Sequence, residues 1–354
     1  MRGKKLEISG SCLSELPQEI LAQIAESLDN YLDYFRFGAV CKSFRSSVHG
    51  FNFQYNSDYR SLKLPLIYFR EESLPGYTTI DLKTFYLLRH SPSSESCLVK
   101  VQAYPQAKNR LLLPLLDPKT RPLELNLIDF SVSELHKHYF ATMYELTGDD
   151  EFYSEDTVSK IVVIGRKDEL AAMAIYGLEV ELAWIRLGDE RWTAMNEQDY
   201  DDIINYKGQF YAVQGGSGKL IKIDVSSSKA MKVVVPNLLN GSCGCSSEKN
   251  LVESGGELLL LDRDMKGNKL RVYKANEEEG KWVEIKSLGD RTVVVKEWRW
   301  AFSVCARDLG GSCKSNCVLY VGKDGFEMFN LDDGSYSVLH STDFPPIFKW
   351  LGKN

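Results

Sequence analysis

Two textures of hydrophobic and polar residues divide the chain. Between Leu16 and Val48 the apolar positions recur with a helical period. Leu21, Ile24, Ala25 and Leu28 fall at i, i+3, i+4 and i+7, and Ile20 widens the stripe into one face of an α-helix. Leu16-Pro17 opens the run, and proline suits a first helical turn, where its missing N–H would have no partner. Asp29-Asn30 interrupts the pattern. Phe37, Val40, Cys41, Phe44 and Val48 then form a second stripe at helical spacing. Two or three helices this short cannot bury a core alone. By itself the pattern leaves open an ordinary helical cap on a larger domain.

From about residue 66 the helical period gives way to short β-rich runs separated by Gly, Asn, Asp and Ser. Strand-sized candidates include residues 86–88, 97–101, 125–128, 161–164, 170–176, 181–187, 203–205, 209–213 and 220–225. Further runs follow at 231–235, 257–261, 270–273, 282–285, 302–306, 318–321, 326–330 and 336–339. Their units recur. Glu181-Leu182-Ala183-Trp184-Ile185 with Trp192 parallels Leu270-Arg271-Val272-Tyr273 with Trp282. Likewise Gly208 to Val213 followed by Leu220 to Asp224 parallels Asn316 to Val321 followed by Phe326 to Asp332. The two tryptophans lie 90 positions apart, or two units of about 45 residues, the size of a four-stranded propeller blade. The segment is too long for one sandwich, and about 280 residues at that repeat make roughly six divergent blades. The expected architecture is mainly β: a helical module and then a β-propeller. Residues 1–13 read as a flexible lead, 14–50 as the helical module and 66–350 as the propeller-like domain. The intervening 51–65, rich in aromatics, reads as a connector packed on the domain that follows.

Composition narrows the classes of function. Of 354 residues, 44% are hydrophobic and 26% charged, as in soluble globular proteins. The net charge of −6 argues against a general nucleic-acid binder and gives no support for an anionic membrane surface as partner. MRGKKLEISGSC has basic residues without the apolar segment of a secretory signal, and no apolar run reaches the ~20 residues of a membrane span. The eight cysteines are then expected to be reduced thiols, and the protein intracellular, in nucleus or cytoplasm. In that compartment the sequon Asn240-Gly241-Ser242 goes unused.

The candidate chemistry is sparse. Gly215-Gly216-Ser217-Gly218-Lys219 suggests a phosphate-binding loop, but Val213 replaces the earlier glycine and Leu220 the Ser or Thr after the lysine, so a hairpin turn is expected. Cys243-x-Cys245 and Cys313-x₃-Cys317 lack zinc-site spacing and a nearby histidine, and no metal or other cofactor is expected. His136-x-His138 places two imidazoles on one side of a strand with only Glu134 nearby, and reads as a polar surface stretch. Trp298-Arg299-Trp300 has the composition of an interface hot spot, although tryptophan packing inside a blade is the better reading. Glu277-Glu278-Glu279-Gly280 reads as a solvated turn. No Ser-His-Asp or Cys-His constellation points to catalysis.

The residues of the N-terminal module carry a resemblance. Leu16-Pro17, Glu19-Ile20-Leu21, Ile24, Leu28, Asp33, Arg36-Phe37, Val40-Cys41-Lys42 and Phe44-Arg45 closely resemble an F-box, with Phe44 where tryptophan is usual. Tyr200 to Asp224, Leu251 to Asp262, Val272 to Asp290, Phe302-Ser303-Val304 and Asn330 to Ser335 resemble a plant F-box family whose C-terminal domain is thought to be a propeller. Val293 to Glu297 reads as a loop and departs from the family's more glycine- and asparagine-bearing segment. The resemblance implies a three-helix F-box docking on a Skp-type adaptor and, through it, a cullin. It also implies that the propeller binds an unidentified protein target, so that the chain serves as substrate receptor of an SCF-type ubiquitin ligase and not as an enzyme. Leu16, Pro17, Ile20, Leu21, Ile24, Leu28, Val40, Cys41 and Phe44 are expected to bury against the adaptor and the module's own core. The alternatives are a scaffold or sequestering protein that acts without degradation, and a propeller with its own ligand or enzyme site.

Overall fold

The computed structural model describes residues 16–27, 37–38, 40–49, 61–67, 76–90, 96–102, 130–147, 150–154, 158–165, 169–177, 180–195, 199–225, 231–238, 247–264, 266, 268–296, 300–309, 314–321 and 325–340. The chain divides into two compact units, Met1–Asp58 and Tyr59–Asn354.

In the first unit, Pro17 sits immediately before helix α1 (Gln18–Ser27), and its carbonyl accepts the N–H groups of Ile20 and Leu21, both at 3.1 Å. Helix α2 (Lys42–His49) packs on α1. Leu21 and Ala25, one turn apart, are buried, and so is Phe44, whose ring lies 4.4 Å from that of Phe37. The Asn30–Arg36 segment of the expected three-helix module lies outside the described residues.

The second unit is a ring of sheets. Strands β6 (Val158–Ile164), β7 (Ala171–Tyr176), β8 (Glu181–Arg186) and β9 (Thr193–Ala194) form one antiparallel meander. Strands β10 (Tyr200–Tyr206), β11 (Gln209–Gln214), β12 (Leu220–Ile223) and β13 (Met231–Val235) form the next. A third contains β14 (Ser247–Ser254), β15 (Glu257–Asp264), β16 (Lys269–Asn276) and β17 (Lys281–Ile285). The fourth orders its five strands β19-β18-β20-β21-β22: β18 (Arg291–Lys296), β19 (Trp300–Cys305), β20 (Cys317–Val321), β21 (Gly325–Asn330) and β22 (Tyr336–His340). Within it β18 and β20 run parallel.

Ahead of these lies a ribbon of β1 (Ser61–Pro65), β2 (Gly76–His90), β3 (Ser96–Gln102), β4 (Phe130–Thr147) and β5 (Asp150–Ser154). The 15-residue β2 pairs with β4 along its whole length, while β1 and β3 share its other edge. A bulge between Phe85 and Tyr86 divides the ribbon. One half packs Leu64, Ile80, Ala141 and Met143 on the β6–β9 sheet, and the other packs Phe85 and Leu87 on the β18–β22 sheet. Among the described residues β4 also pairs with β6, at Tyr139 and Ile161, so the ribbon and the β6–β9 meander share one nine-stranded sheet, beside two four-stranded sheets and one five-stranded sheet.

The ring explains the apolar runs. A middle strand is covered on both faces, so its two alternating sets of side chains enter two different cores. Ala172 and Ala174 of β7 face the ribbon, whereas Ala171, Met173 and Ile175 face β10 and β11. Leu258 and Leu260 of β15 pack with Val213 and Leu220, whereas Leu259 and Leu261 pack with Val293 and Val295. Val293 to Val295 are fully buried in β18, so the loop expected there is an inner strand. The compared tryptophans do matching work. Trp192, just before β9, donates Nε1–H to Pro65 O at 2.9 Å, and Trp282 in β17 donates to Gly218 O at 2.8 Å. Each ties the outer part of its sheet to the preceding one. The Gly215–Gly218 segment joins β11 to β12 as the expected turn. Gly218 there has φ +64°, and a Cβ would stand 2.6 Å from Leu238 Cβ.

Candidate adaptor surface and central cavity

The helical unit separates the predicted docking residues into two groups. Leu21 is 1% exposed and Phe44 6%, so both serve the unit's own core. Ile20 is 40% exposed and Val40 65%, and Pro17, three residues before Ile20, is exposed as well. Leu16, Ile24 and Cys41 are partly exposed, and Leu28 lies outside the described residues. One helical turn accounts for the division: Leu21 and Ala25 share the inward face of α1, whereas Ile20 is turned from it by about 100°. Covering each exposed aliphatic side chain contributes about 1.5–3 kcal/mol.

A different site lies where the inner strands of the second unit converge. A cavity of about 410 Å³ is lined from β4, β6, β10, β14, β18 and β19. Lys160 Nζ meets Asp202 Oδ1 at 2.5 Å, and Asp202 also accepts Ile203 N–H at 2.8 Å and Leu251 N–H at 2.7 Å. Burial pushes the Asp202 carboxyl upward, opposed first by the Lys160 charge and then by these N–H groups. Its neighbour Asp201 is pushed up to about 7 by burial, although Lys249 opposes the change. Asp202 therefore fastens β10 to both the preceding β6 and the following β14.

His136 and His138 share a face of β4 as expected, but the polar surface stretch is corrected: the face turns inward. His136 lies 5.4 Å from the Phe302 ring at 20°, and His138 lies 5.3 Å from that of Phe85. Burial holds His136 down to about 3, with the Lys160 charge adding to the effect, so it is neutral near pH 7. Its Nε2 is buried without a hydrogen-bond partner. Trp300 is 6% exposed and packs with Phe85, Phe302 and both imidazoles, which makes it a blade-core tryptophan. Trp298 and Arg299 lie outside the described residues. Arg291 donates Nε–H to Ser303 Oγ at 2.7 Å and Nη2–H to Ser303 O at 2.8 Å. The Ser303 hydroxyl lies 2.8 Å from that of Ser254, linking β19 to β14.

Sequence reasoning did not single out Lys160, Asp202, Arg291 or Ser303. The available signal was a charged residue at the edge of an otherwise apolar inner strand, a pattern too common to stand out. Cys317 is buried, while Cys243, Cys245 and Cys313 lie outside the described residues. Among the described residues no three His, Cys, Asp or Glu side chains converge as metal ligands. No helix among them is long and apolar enough to cross a membrane.

Comparison with known proteins agrees with this architecture. Residues 13–55 match the F-box domain and residues 55–342 match the KIB1-4 beta-propeller. The class is therefore an F-box protein with a β-propeller, and the chain belongs to the KIB1-4 beta-propeller family among plant F-box proteins. It is 27% identical over 362 residues to the F-box protein At4g35733 of Arabidopsis thaliana, covering 96% of this chain and 97% of that protein. To the F-box protein SKIP23 of the same plant it is 26% identical over 367 residues, covering 90% of this chain and 85% of that protein. An F-box domain implies a Skp-type adaptor as partner, and F-box proteins are generally adaptor subunits rather than enzymes.

Proposed function

We propose that this chain is the substrate-recognition subunit of an SCF-type ubiquitin ligase. The division of apolar residues in the helical unit carries the reading: Leu21, Ala25 and Phe44 complete a core, while Ile20 and Val40 remain exposed. Aliphatic side chains left exposed on so small a module are available to a partner. In this reading Pro17, Ile20 and Val40 meet the Skp-type adaptor, which joins the chain to a cullin. Leu16, Ile24, Leu28 and Cys41 extend that contact. The propeller holds a protein target, and its contribution is proximity, since a tethered lysine meets the charged conjugating enzyme at high effective concentration. The chain thereby acts as a receptor rather than as a catalyst.

The test is co-precipitation of the full chain with a Skp-type adaptor and a cullin, beside an Ile20→Asp/Val40→Asp double variant. Wild type is expected to bring down both proteins, and the variant neither, with its melting profile unchanged. Equal capture by the two chains would overturn this docking surface. Capture of adaptor and cullin without cullin-dependent turnover of propeller-bound proteins would mark a scaffold instead.

A further inference from the structure

The outer strand β13 leaves an edge bare and two cations unanswered. Among the described residues β12 is the only strand that pairs with it. Met231, Lys232 and Val233 are all exposed, and register fixes which way each faces. Met231 stands opposite Ile223 and Val233 opposite Ile221, so both continue the apolar face that Phe210, Ala212, Ile221 and Ile223 turn toward the β6–β9 sheet. That sheet does not cover them, and they remain 43% and 48% exposed. Lys232 stands opposite Lys222 on the other face, and like charges directly across a strand pair repel. Among the described residues no carboxylate pairs with either lysine, and Lys222 has only the Tyr211 ring, 5.6 Å away at its centroid. The outer strand β17 differs: Lys281 pairs with Glu279, and Lys286, just beyond the strand, pairs with Glu284. Lysine on an open edge also disfavours a second copy of this chain, because pairing two β13 edges brings lysine toward lysine.

We propose that β13 is a docking edge for an extended acidic peptide, which adds to the β10–β13 sheet as a further strand. Main-chain hydrogen bonds to the bare edge hold the peptide in line, and its alternate side chains fall on the two faces. On one face its aliphatic residues cover Met231 and Val233. On the other its Asp or Glu residues meet Lys222 and Lys232, so one contact both covers apolar surface and relieves the lysine repulsion. The proposal rests on the reading of the propeller as a receptor, and it gives the target a chemistry: a segment of alternating aliphatic and acidic residues. Peptide binding is measured without adaptor or cullin, so this site and the ligase reading can fail separately.

The experiment is fluorescence anisotropy of the full chain with a labelled, end-capped peptide, Thr-Val-Glu-Val-Glu-Val-Thr. The control peptide carries lysine in place of each glutamate. The acidic peptide is expected to bind saturably and the basic one at least about tenfold more weakly. Lys232→Glu should bring the two affinities to within a few-fold of each other. Two further peptides are N-methylated, one on its valines and the other on its glutamates. Alternate N–H groups of an added strand point toward the sheet, so one of these two should lose binding and the other keep it. The peptide comparisons are made on the wild-type chain, so they decide the matter even where Lys232→Glu does not fold. No saturable binding up to about 1 mM, equal affinity for the acidic and basic peptides, an unchanged ratio in folded Lys232→Glu, or full binding of both methylated peptides would each overturn the proposal. So would a dimer of the full chain in sedimentation that Met231→Asp dissolves, because the edge would then hold a second copy.

Discussion

The helical unit and the propeller handle apolar and charged residues in opposite ways. In the helical unit Leu21, Ala25 and Phe44 are buried while Ile20 and Val40 face out. The propeller hides its aliphatic residues between successive sheets and carries charged pairs inside. Lys249 and Asp262, 1% exposed or less, lie 3.4 Å apart, and Arg263 reaches Glu248 and Glu327 while stacking over Tyr320 at 4.3 Å. The difference follows from size. A module of two or three short helices has a large surface for its volume and must leave apolar side chains for a partner. A ring of sheets supplies two covered faces to each middle strand, and its crowded inner strands give buried ions enough donors and acceptors to remain paired.

The largest break in this contrast should come from inside the ring. Lys160→Ala leaves Asp202 buried beside Ile203 and Leu251 without its cation, and is expected to cost about 3–5 kcal/mol in chemical denaturation. The double variant Lys160→Ala/Asp202→Ala should recover part of that loss, because the cost lies in the uncompensated charge. A packing defect comes next. Leu260→Ala empties a fully buried position between two sheets and should lower stability by about 2–5 kcal/mol. The same measurement on Leu21→Ala should melt the helical unit's signal while the propeller's transition keeps its midpoint.

Two titrations of opposite sign sharpen the contrast further. His136 is held below its unfolded value of 6.5, so its contribution is present above that pH and is lost as pH falls toward about 3. Asp201 is held above its unfolded value of 3.8, so its contribution is present at low pH and is lost as pH rises through about 7. Between pH 5 and 7 each moves stability by about 2 kcal/mol, the two in opposite directions. His136→Phe should therefore be less stable at pH 7 than at pH 5, and Asp201→Asn more stable at pH 7 than at pH 5. Identical pH profiles for the three chains would remove both assignments. The smallest stability effect belongs to Ile20→Asp/Val40→Asp, expected within about 0.5 kcal/mol of wild type because both side chains are already exposed. A larger loss would mean that these residues support the helical unit itself.

Much of this was legible along the chain because it is local. A helical stripe such as Leu21, Ile24 and Ala25 is written within a few residues, and so is the turn at Gly215 to Gly218. The repeat was legible too, since Trp192 and Trp282 occupy equivalent outer positions two sheets apart and meet the same need for a carbonyl partner. What did not show was the length of β2 and β4. Their sequences mix polar and apolar residues as surface strands do, yet one ribbon serves two cores on either side of a bulge.

By itself the amino-acid sequence determined the change from a helical module to a run of strands, the blade-length repeat and the apolar stripe of the helical module. Periodicity and turn chemistry act between near neighbours, so any short window carries them. Tertiary structure alone decided which side of each element is inside. It turned Ile20 outward and Leu21 inward, made a buried strand of Val293 to Val295, and brought His136 against Phe302 and Lys160 against Asp202. A strand offers two equivalent faces to its surroundings, and only the sheets that pack on it from distant parts of the chain make one of them a core, a surface or the wall of a cavity.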